Sequence, residues 1–316
     1  MQALNLPTRT VSPRGHRSLR ERLARQGWIF SAPAFFIIAG ITIFPILFSI
    51  FMSLNNISLT YSGFKFQWTG MSNYSLVWSN SLFQYALGFT IIYTLITVTV
   101  ELILGMGVAL VLHKLAYGRG FLLAILLLPW ALITAISAEM WSFIYNGVYG
   151  VLNAVVMGLG LVNHLVIWLG TPVLAIASTM VADIWKTTPF VAIILFAGLQ
   201  MISSEIFEAA SIDGAGAWQT FWRITLPLLK PTLLVALLFR TLQAFGVFDL
   251  PFVLTGGGPG HATESLAILS YQVLFEDLSF GPGAAIATST TLIVMAVAFV
   301  FLRVFRVQVG DSESSA

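Results

Sequence analysis

Cysteine is absent from the 316 residues, which excludes disulfides and thiol chemistry and fits either redox compartment. Charge is scarce too: Asp, Glu, Lys and Arg together make up 9% of the chain, where a soluble globular domain carries about a quarter. Four scattered histidines (His16, His113, His164 and His261) without cysteine form no zinc or haem pattern. No nucleotide-binding motif occurs. The Gly-rich run from Thr255 to Gly260 reads as a tight turn and lacks the Lys-Ser/Thr pair of a phosphate-binding loop. Nor do the apolar runs contain the His-rich, Ser-Lys or paired-Asp patterns of an intramembrane enzyme.

What the chain has is apolar surface. With 58% hydrophobic residues and a mean hydropathy of +0.90, it reads as an integral membrane protein. Six apolar segments, at 28–52, 85–112, 121–145, 171–199, 231–254 and 283–306, are each long enough for a bilayer core of about 30 Å. None alternates as a barrel strand would, and backbone groups in lipid must be satisfied internally, so an all-α fold with six transmembrane helices is predicted. The first run, Trp28 to Leu54, is too long for a signal-peptide core and lacks a small-residue cleavage site, so it reads as a retained span. The transmembrane domain is thus expected at 28–306, between a basic tail at 1–27 and a short tail at 307–316.

Orientation follows from the basic residues. With the N-terminus inside, the cytoplasmic segments collect Arg9, Arg14, Arg17, Arg20, Arg22, Arg25, Lys114, Arg119, Arg223, Lys230, Arg303 and Arg306, twelve of the 15 Lys and Arg. Lys65 falls outside, and Lys186 and Arg240 fall within spans. The positive-inside rule therefore predicts N-in and C-in. The Arg-rich tail is read as an orienting contact with anionic membrane lipid and not as a nucleic-acid site.

The polar loop at 200–230 then lies in the cytoplasm. Ser203-Ser204-Glu205 supplies a capping hydroxyl and an acidic first turn, which predicts a short helix through Ile206 to Asp213. Gly214 can turn the chain out of it, and a second short helix would carry Trp218, Phe221 and Ile224 towards Pro227. Pro231 is expected in the first turn of the fifth span. Glu208 offers a charge to a basic partner, and small Ala209 and Ala210 permit close approach, as in helix-in-groove docking.

Intramembrane polar groups are default functional suspects. Asp183 and Lys186 stand three apart in the fourth span, where they can pair, and Pro189 deprives the carbonyl of Trp185 of its donor. Arg240 shares a face with Gln243, while Asp249 lies about 180° round the same helix; Arg240 is read as snorkelling or anchoring the helix near the cytoplasmic third. Glu101 and Glu139 have no partner within their own helices, and protonation and pairing across helices both remain open. Asp183, Trp185, Lys186, Gln243, Phe248 and Asp249 are the candidate lining of a pathway for a hydroxyl-rich ligand, with sugar stacking on Trp185 or Phe248. Trp141, Tyr145 and Trp168 are read as an interfacial aromatic belt.

Glu208-Ala209-Ala210, then Asp213-Gly214, then Ile224-Thr225-Leu226-Pro227 resembles the coupling loop of ATP-driven importer permeases, the segment that docks onto the ATPase. Phe248-Asp249, Leu254-Thr255-Gly256-Gly257-Gly258-Pro259, Thr263 and Tyr271 resemble the first maltose and glycerol-phosphate permeases. Trp185-Lys186-Thr187-Thr188-Pro189-Phe190 resembles sugar permeases, actinobacterial trehalose importers in particular. The chain is thus similar over residues 28–306 to the sugar branch of the type I importers with a MetI-like six-helix core, without the two leading spans and large outer domain of the eight-helix maltose version. The resemblance implies ATPase coupling through Glu208, Ala209, Ala210, Asp213, Gly214, Ile224, Leu226 and Pro227. It implies partners as well: a second, homologous permease, two ATPase subunits that bind ATP and Mg, and an extracytoplasmic sugar-binding protein or lipoprotein. The chain itself would hold no cofactor or metal and would not be an enzyme. The implied cargo is a disaccharide such as trehalose or maltose, carried across a prokaryotic cell membrane, and the shortage of basic residues in the outer loops argues against an anionic one. The rival reading is a self-sufficient proton-coupled transporter that uses Glu101, Asp183 or Asp249 as a relay.

Overall fold

The computed structural model describes residues 14–61, 63–115 and 117–305. Residues 1–13 of the expected tail at 1–27 and the whole tail at 307–316 lie outside the described residues, as do the side chains of residues 14–22, 304 and 305; residues 14–27, expected as tail, are helical. Two compact units are present, residues 1–51 and 52–316. The first is occupied by helix α1 (Arg14–Ser53). Its stretch Leu23–Ser53 has a mean hydropathy of 2.5 over its most apolar window, and Phe44, Phe48 and Phe51 form a file of stacked rings along it.

The second unit opens with a small hairpin, β1 (Asn55–Thr60) against β2 (Gly63–Trp68), antiparallel with Asn55 opposite Trp68 and Thr60 opposite Gly63. These two strands depart from the all-helical expectation. Gly63 (φ +109°) makes the turn, a conformation that only Gly adopts without strain. Helix α2 (Ser72–Ser79) follows, and the buried Asn73 amide donates to the carbonyls of Ser53 (2.8 Å) and Asn55 (3.0 Å), tying the hairpin base down.

Helix α3 (Ser81–Lys114) is capped by Asn80, whose side chain accepts from Leu82 N at 2.7 Å. The third predicted span is not one rod: α4 (Arg119–Ala131) and α5 (Thr134–Ile144) meet at 89°. Pro129 cannot donate to the carbonyl of Ile125, and Leu132 and Ile133 are extended, so the helix ends where a straight span was expected. The short α6 (Val151–Gly158) leads to α7 (Pro172–Gln200), which stays helical through Pro189. Among the described residues there are thus five helices long and apolar enough to cross a membrane, or six with the bent pair, and the chain is a multi-pass membrane protein.

Helix α8 (Ser204–Ile212) matches the predicted short helix, with Ser203 accepting from Glu205 N. Gly214 turns out of it at φ +76°. The next helix is not a separate short one. Helix α9 (Ala217–Thr220) runs through a π turn at Phe221–Thr225 into α10 (Leu226–Phe245), so Pro231 sits inside the helix and not in its first turn. The π turn lies directly before Pro227, which has no N–H for the carbonyl of Arg223. The fifth span then stops nine residues early, at Phe245; after Gly246 to Phe248, α11 (Asp249–Thr255) sets off anew. A turn with Gly256, Gly257 and Gly260 at positive φ leads to α12 (Leu266–Tyr271), a second π turn at Gln272–Glu276, and α13 (Phe280–Phe305).

Helix α7 is the centre of this unit: 56% of its most apolar window is buried, against 22% for α13. It packs along α3 and α10 through small residues. A Cβ on Gly105 would stand 2.7 Å from Val191 Cγ1 and 3.1 Å from the Ala192 amide, and one on Gly198 2.6 Å from Thr232 Oγ1. Small residues let backbones approach where lipid gives no hydrophobic drive to helix pairing. Met106, Ala109, Leu195, Leu199, Leu229 and Ala236 fill the seam. Gly105→Ala should therefore destabilise the protein by about 1–3 kcal/mol by overpacking, whereas Gly107→Ala, which meets nothing within 4 Å, should not; thermal unfolding in detergent distinguishes the two.

Candidate functional site

Both helix breaks open onto one cavity of about 770 Å³. Trp130 and Leu132 to Ala135 line it from the α4–α5 break, Gly246 to Asp249 from the α10–α11 break, and Asp183, Lys186 and Thr187 from α7. Gln243 lines it from the last turn of α10. Non-helical backbone at membrane depth is tolerated where it lines a polar cavity. The two breaks, and with them the Trp130–Ala135 wall, were missed in the sequence; Pro129 and Gly246 are the local signals that mark them.

Beside this cavity lies a buried charge cluster. The Arg240 guanidinium of α10 grips Glu101 of α3 with two bonds, Nε to Oε2 at 2.5 Å and a terminal nitrogen to Oε1 at 2.8 Å. The same nitrogen reaches Asp183 Oδ2 of α7 at 3.4 Å, and the other donates to Gln243 Oε1 at 3.0 Å. Thr187 donates to Glu101 Oε1 at 2.6 Å, and the fully buried Tyr93 ring lies against Asp183. Glu101, Asp183 and Arg240 are all buried, so three spans are joined by one planar fork that matches carboxylate geometry. Arg240 therefore does not snorkel; of the two roles read for it, anchoring the helix is the one found, because a partner from α3 meets it inside the bundle. Of the two options open for Glu101, pairing across helices is the one found. Glu139 is exposed on α5 without an ion pair among the described residues.

Lys186 does not form the expected ion pair with Asp183. Its Nζ donates to the carbonyls of Leu132 (2.6 Å), Trp130 (3.4 Å) and Pro129 (3.5 Å). These are orphan acceptors of the α4 C-terminus, where a cation is favoured by the helix dipole. Asp183 is left to Arg240. Lys186 thus holds the bent wall of the cavity in place.

Asp183, Lys186, Gln243, Phe248 and Asp249 all line the cavity, and Trp185 does not. On a helix, residues 183, 186 and 187 share a face that residue 185 leaves; Trp185 instead meets Trp141 edge-on at 5.6 Å. Asp249 opens α11, where the helix N-terminus favours a carboxylate, and makes no ion pair among the described residues. Tyr145 is buried and donates to the Ser178 carbonyl (2.9 Å), and the half-buried Trp168 donates to Asn153 Oδ1 (3.0 Å).

At the other end of α7, the residues expected to couple to an ATPase divide. Glu208, Ala209, Asp213, Gly214 and Pro227 are exposed, Ile224 and Leu226 are half-buried, and Ala210 is buried. Ala210 therefore faces its own chain and cannot offer close approach to a partner, leaving Ala209 for that. Phe207 holds α8 against His113 at the end of α3, ring centroids 5.8 Å apart.

No protein-family model matches the chain. Curated relatives do. The trehalose/maltose transport system permease protein MalF of Thermococcus litoralis is 41% identical over 290 residues, 91% of this chain and 96% of that protein. The chain belongs to the sugar permeases of ATP-binding-cassette importers. The sulfoquinovosyl glycerol transport system permease protein SmoG of Agrobacterium fabrum is 38% identical to this permease over 87% of it and 88% of the relative. The trehalose transport system permease protein SugA of Mycobacterium tuberculosis is 32% identical over 98% and 96%. The fold agrees with a chain of a bacterial alginate transporter crystallised with an alginate-bound periplasmic protein, at a TM-score of 0.75, 18% identity, and coverage of 92% of this permease and 97% of that chain.

Removing one partner of a buried ion pair leaves the others uncompensated. Arg240→Met should cost about 3–5 kcal/mol of stability, and adding Glu101→Leu to it should recover part of that loss; thermal unfolding of the purified single and double variants measures both.

Proposed function

We propose that this permease is one transmembrane half of an ATP-driven importer for a neutral di- or oligosaccharide, with trehalose or maltose ahead of glycerol phosphate. The observation that carries this reading is the polar cavity at the two helix breaks, whose volume falls within the range of about 300–1,000 Å³ usual for small-molecule sites. Its charges favour a neutral cargo. Lys186 is bound to backbone carbonyls and Arg240 to carboxylates, so neither cation is free for an anion, and Asp249 adds a negative charge. Hydroxyl groups find acceptors in Asp183, Asp249 and the Gln243 side chain. The trehalose and maltose names of two relatives point the same way.

The chain runs N-in and C-in across a prokaryotic plasma membrane, with the transmembrane domain at 28–306 and the loop 200–230 in the cytoplasm. A second, homologous permease completes the pathway, an extracytoplasmic binding protein delivers the sugar, and two ATPase subunits bind ATP and Mg. Exposed Glu208 and Ala209, with Ile212 and Trp218 standing clear of the chain at 86% and 72% exposure, form the face that docks onto the ATPase. ATP-driven closure moves α8 as a lever on the ends of α3 and α7. A lever of this kind needs a two-state bundle in which the ligated ATPase prefers one state.

Glu208→Arg and Ala209→Arg should each lower sugar-stimulated ATP hydrolysis at least about tenfold, the equivalent of about 1.4 kcal/mol of docking energy, while the permease still inserts. Assay of the reconstituted complex checks this, and unaltered hydrolysis in both variants would remove α8 as the coupling element.

A further inference from the structure

A second cavity, of about 390 Å³, opens on the far side of Phe248, which is the one residue lining both. Its walls are α12 with the π turn after it (Leu266, Tyr271, Phe275) and α13 (Ala287, Thr290). A file of four rings joins the two spaces. Phe252, in the first cavity, stacks on Phe248 with centroids 4.8 Å apart and planes 17° from parallel. Tyr271 stands 5.4 Å from Phe248, and Phe275 stands 5.3 Å from Tyr271. Phe275 ends the file with 62% of its surface exposed.

The walls are held rigidly. A Cβ on Gly283 would come within 2.5 Å of Leu274 Cγ and 2.9 Å of the Leu274 amide, so the π turn that aims Phe275 is seated directly on α13. Π turns interrupt helices frequently at functional sites. Ser270 Oγ donates to the Gly283 carbonyl (3.2 Å) and Thr290 Oγ1 to that of Ile286 (2.9 Å). Both hydroxyl oxygens keep acceptor capacity. Aromatic faces edged by hydroxyl acceptors suit a ring with an apolar C–H face and a polar rim.

We propose that this second cavity is a further sugar subsite, taking one more pyranose ring of an oligosaccharide whose other rings lie in the first cavity, with Phe248 between the two. The inference rests on the reading of the first cavity as the sugar pathway.

The absence of native cysteine makes a direct test available. In the complete importer in lipid nanodiscs, Ala287→Cys places one thiol of this chain in the second cavity and, separately, Thr134→Cys places one in the first. The rate at which a polar methanethiosulfonate reagent modifies each is measured without sugar, with maltose, with trehalose and with maltotriose. Maltotriose should slow modification at position 287 at least threefold and maltose should not, while both sugars protect position 134. Adding Tyr271→Ala should abolish protection at 287, and Tyr271→Phe should retain it. The subsite is overturned if maltotriose fails to protect 287, if maltose protects it equally, or if its thiol never reacts, in each case with 134 still protected by one of these sugars. If neither maltotriose nor maltose nor trehalose protects 134, the sugar-pathway reading falls and the subsite with it.

Discussion

The structure depends on one fork of hydrogen bonds inside the membrane. A guanidinium and two carboxylates taken out of water each carry a desolvation cost of several kcal/mol, recovered only when the geometry is close and the remaining lone pairs are filled. Arg240 meets that condition by gripping Glu101 through both arms of its fork, with Thr187 and Gln243 completing the bonds and Asp183 at the margin. Because the partners come from α3, α7 and α10, the cluster sets which faces of these helices meet. Small residues such as Gly105 and Gly198 then let the backbones close the distance.

The same economy of charge shapes the cavity. Two helices stop short beside it, and each stop leaves carbonyls or amides without intrahelical partners. At the α4 end a lysine from the neighbouring span takes up those carbonyls; at the α11 start a carboxylate sits where the helix N-terminus favours it. Both strong cations of the region are thereby committed to the protein. What remains for a ligand is a wall of acceptors, backbone and aromatic rings, the surroundings a neutral polyhydroxylated molecule can use.

The helical membrane class was legible in hydropathy, and α8 was legible in its cap and its acidic first turn, because both are local signals. The spans' endpoints were less so. A hydropathy window runs straight across the α4–α5 bend and the Gly246 break, since the residues on either side are equally apolar. Pairing misled in the same way: Asp183 and Lys186 are neighbours on one helix, yet each finds a better partner on another element, which sequence spacing cannot show. Arg240 illustrates this best. Its position near the cytoplasmic third of the predicted span suits snorkelling, and only the arrival of Glu101, 139 positions earlier, makes burial tolerable. Trp185 was grouped with its sequence neighbours, and the turn of the helix carries it away from the cavity they line.

The central claim is that sugar movement through this cavity is powered by a partner ATPase and not by ions moving through the buried carboxylates. Uptake of radiolabelled trehalose into proteoliposomes containing the complete importer tests it most directly, with ATP inside and the proton gradient collapsed by an ionophore. The account predicts undiminished uptake under those conditions and none when ATP is withheld with the gradient intact. Uptake that persists without ATP and disappears with the ionophore would contradict it.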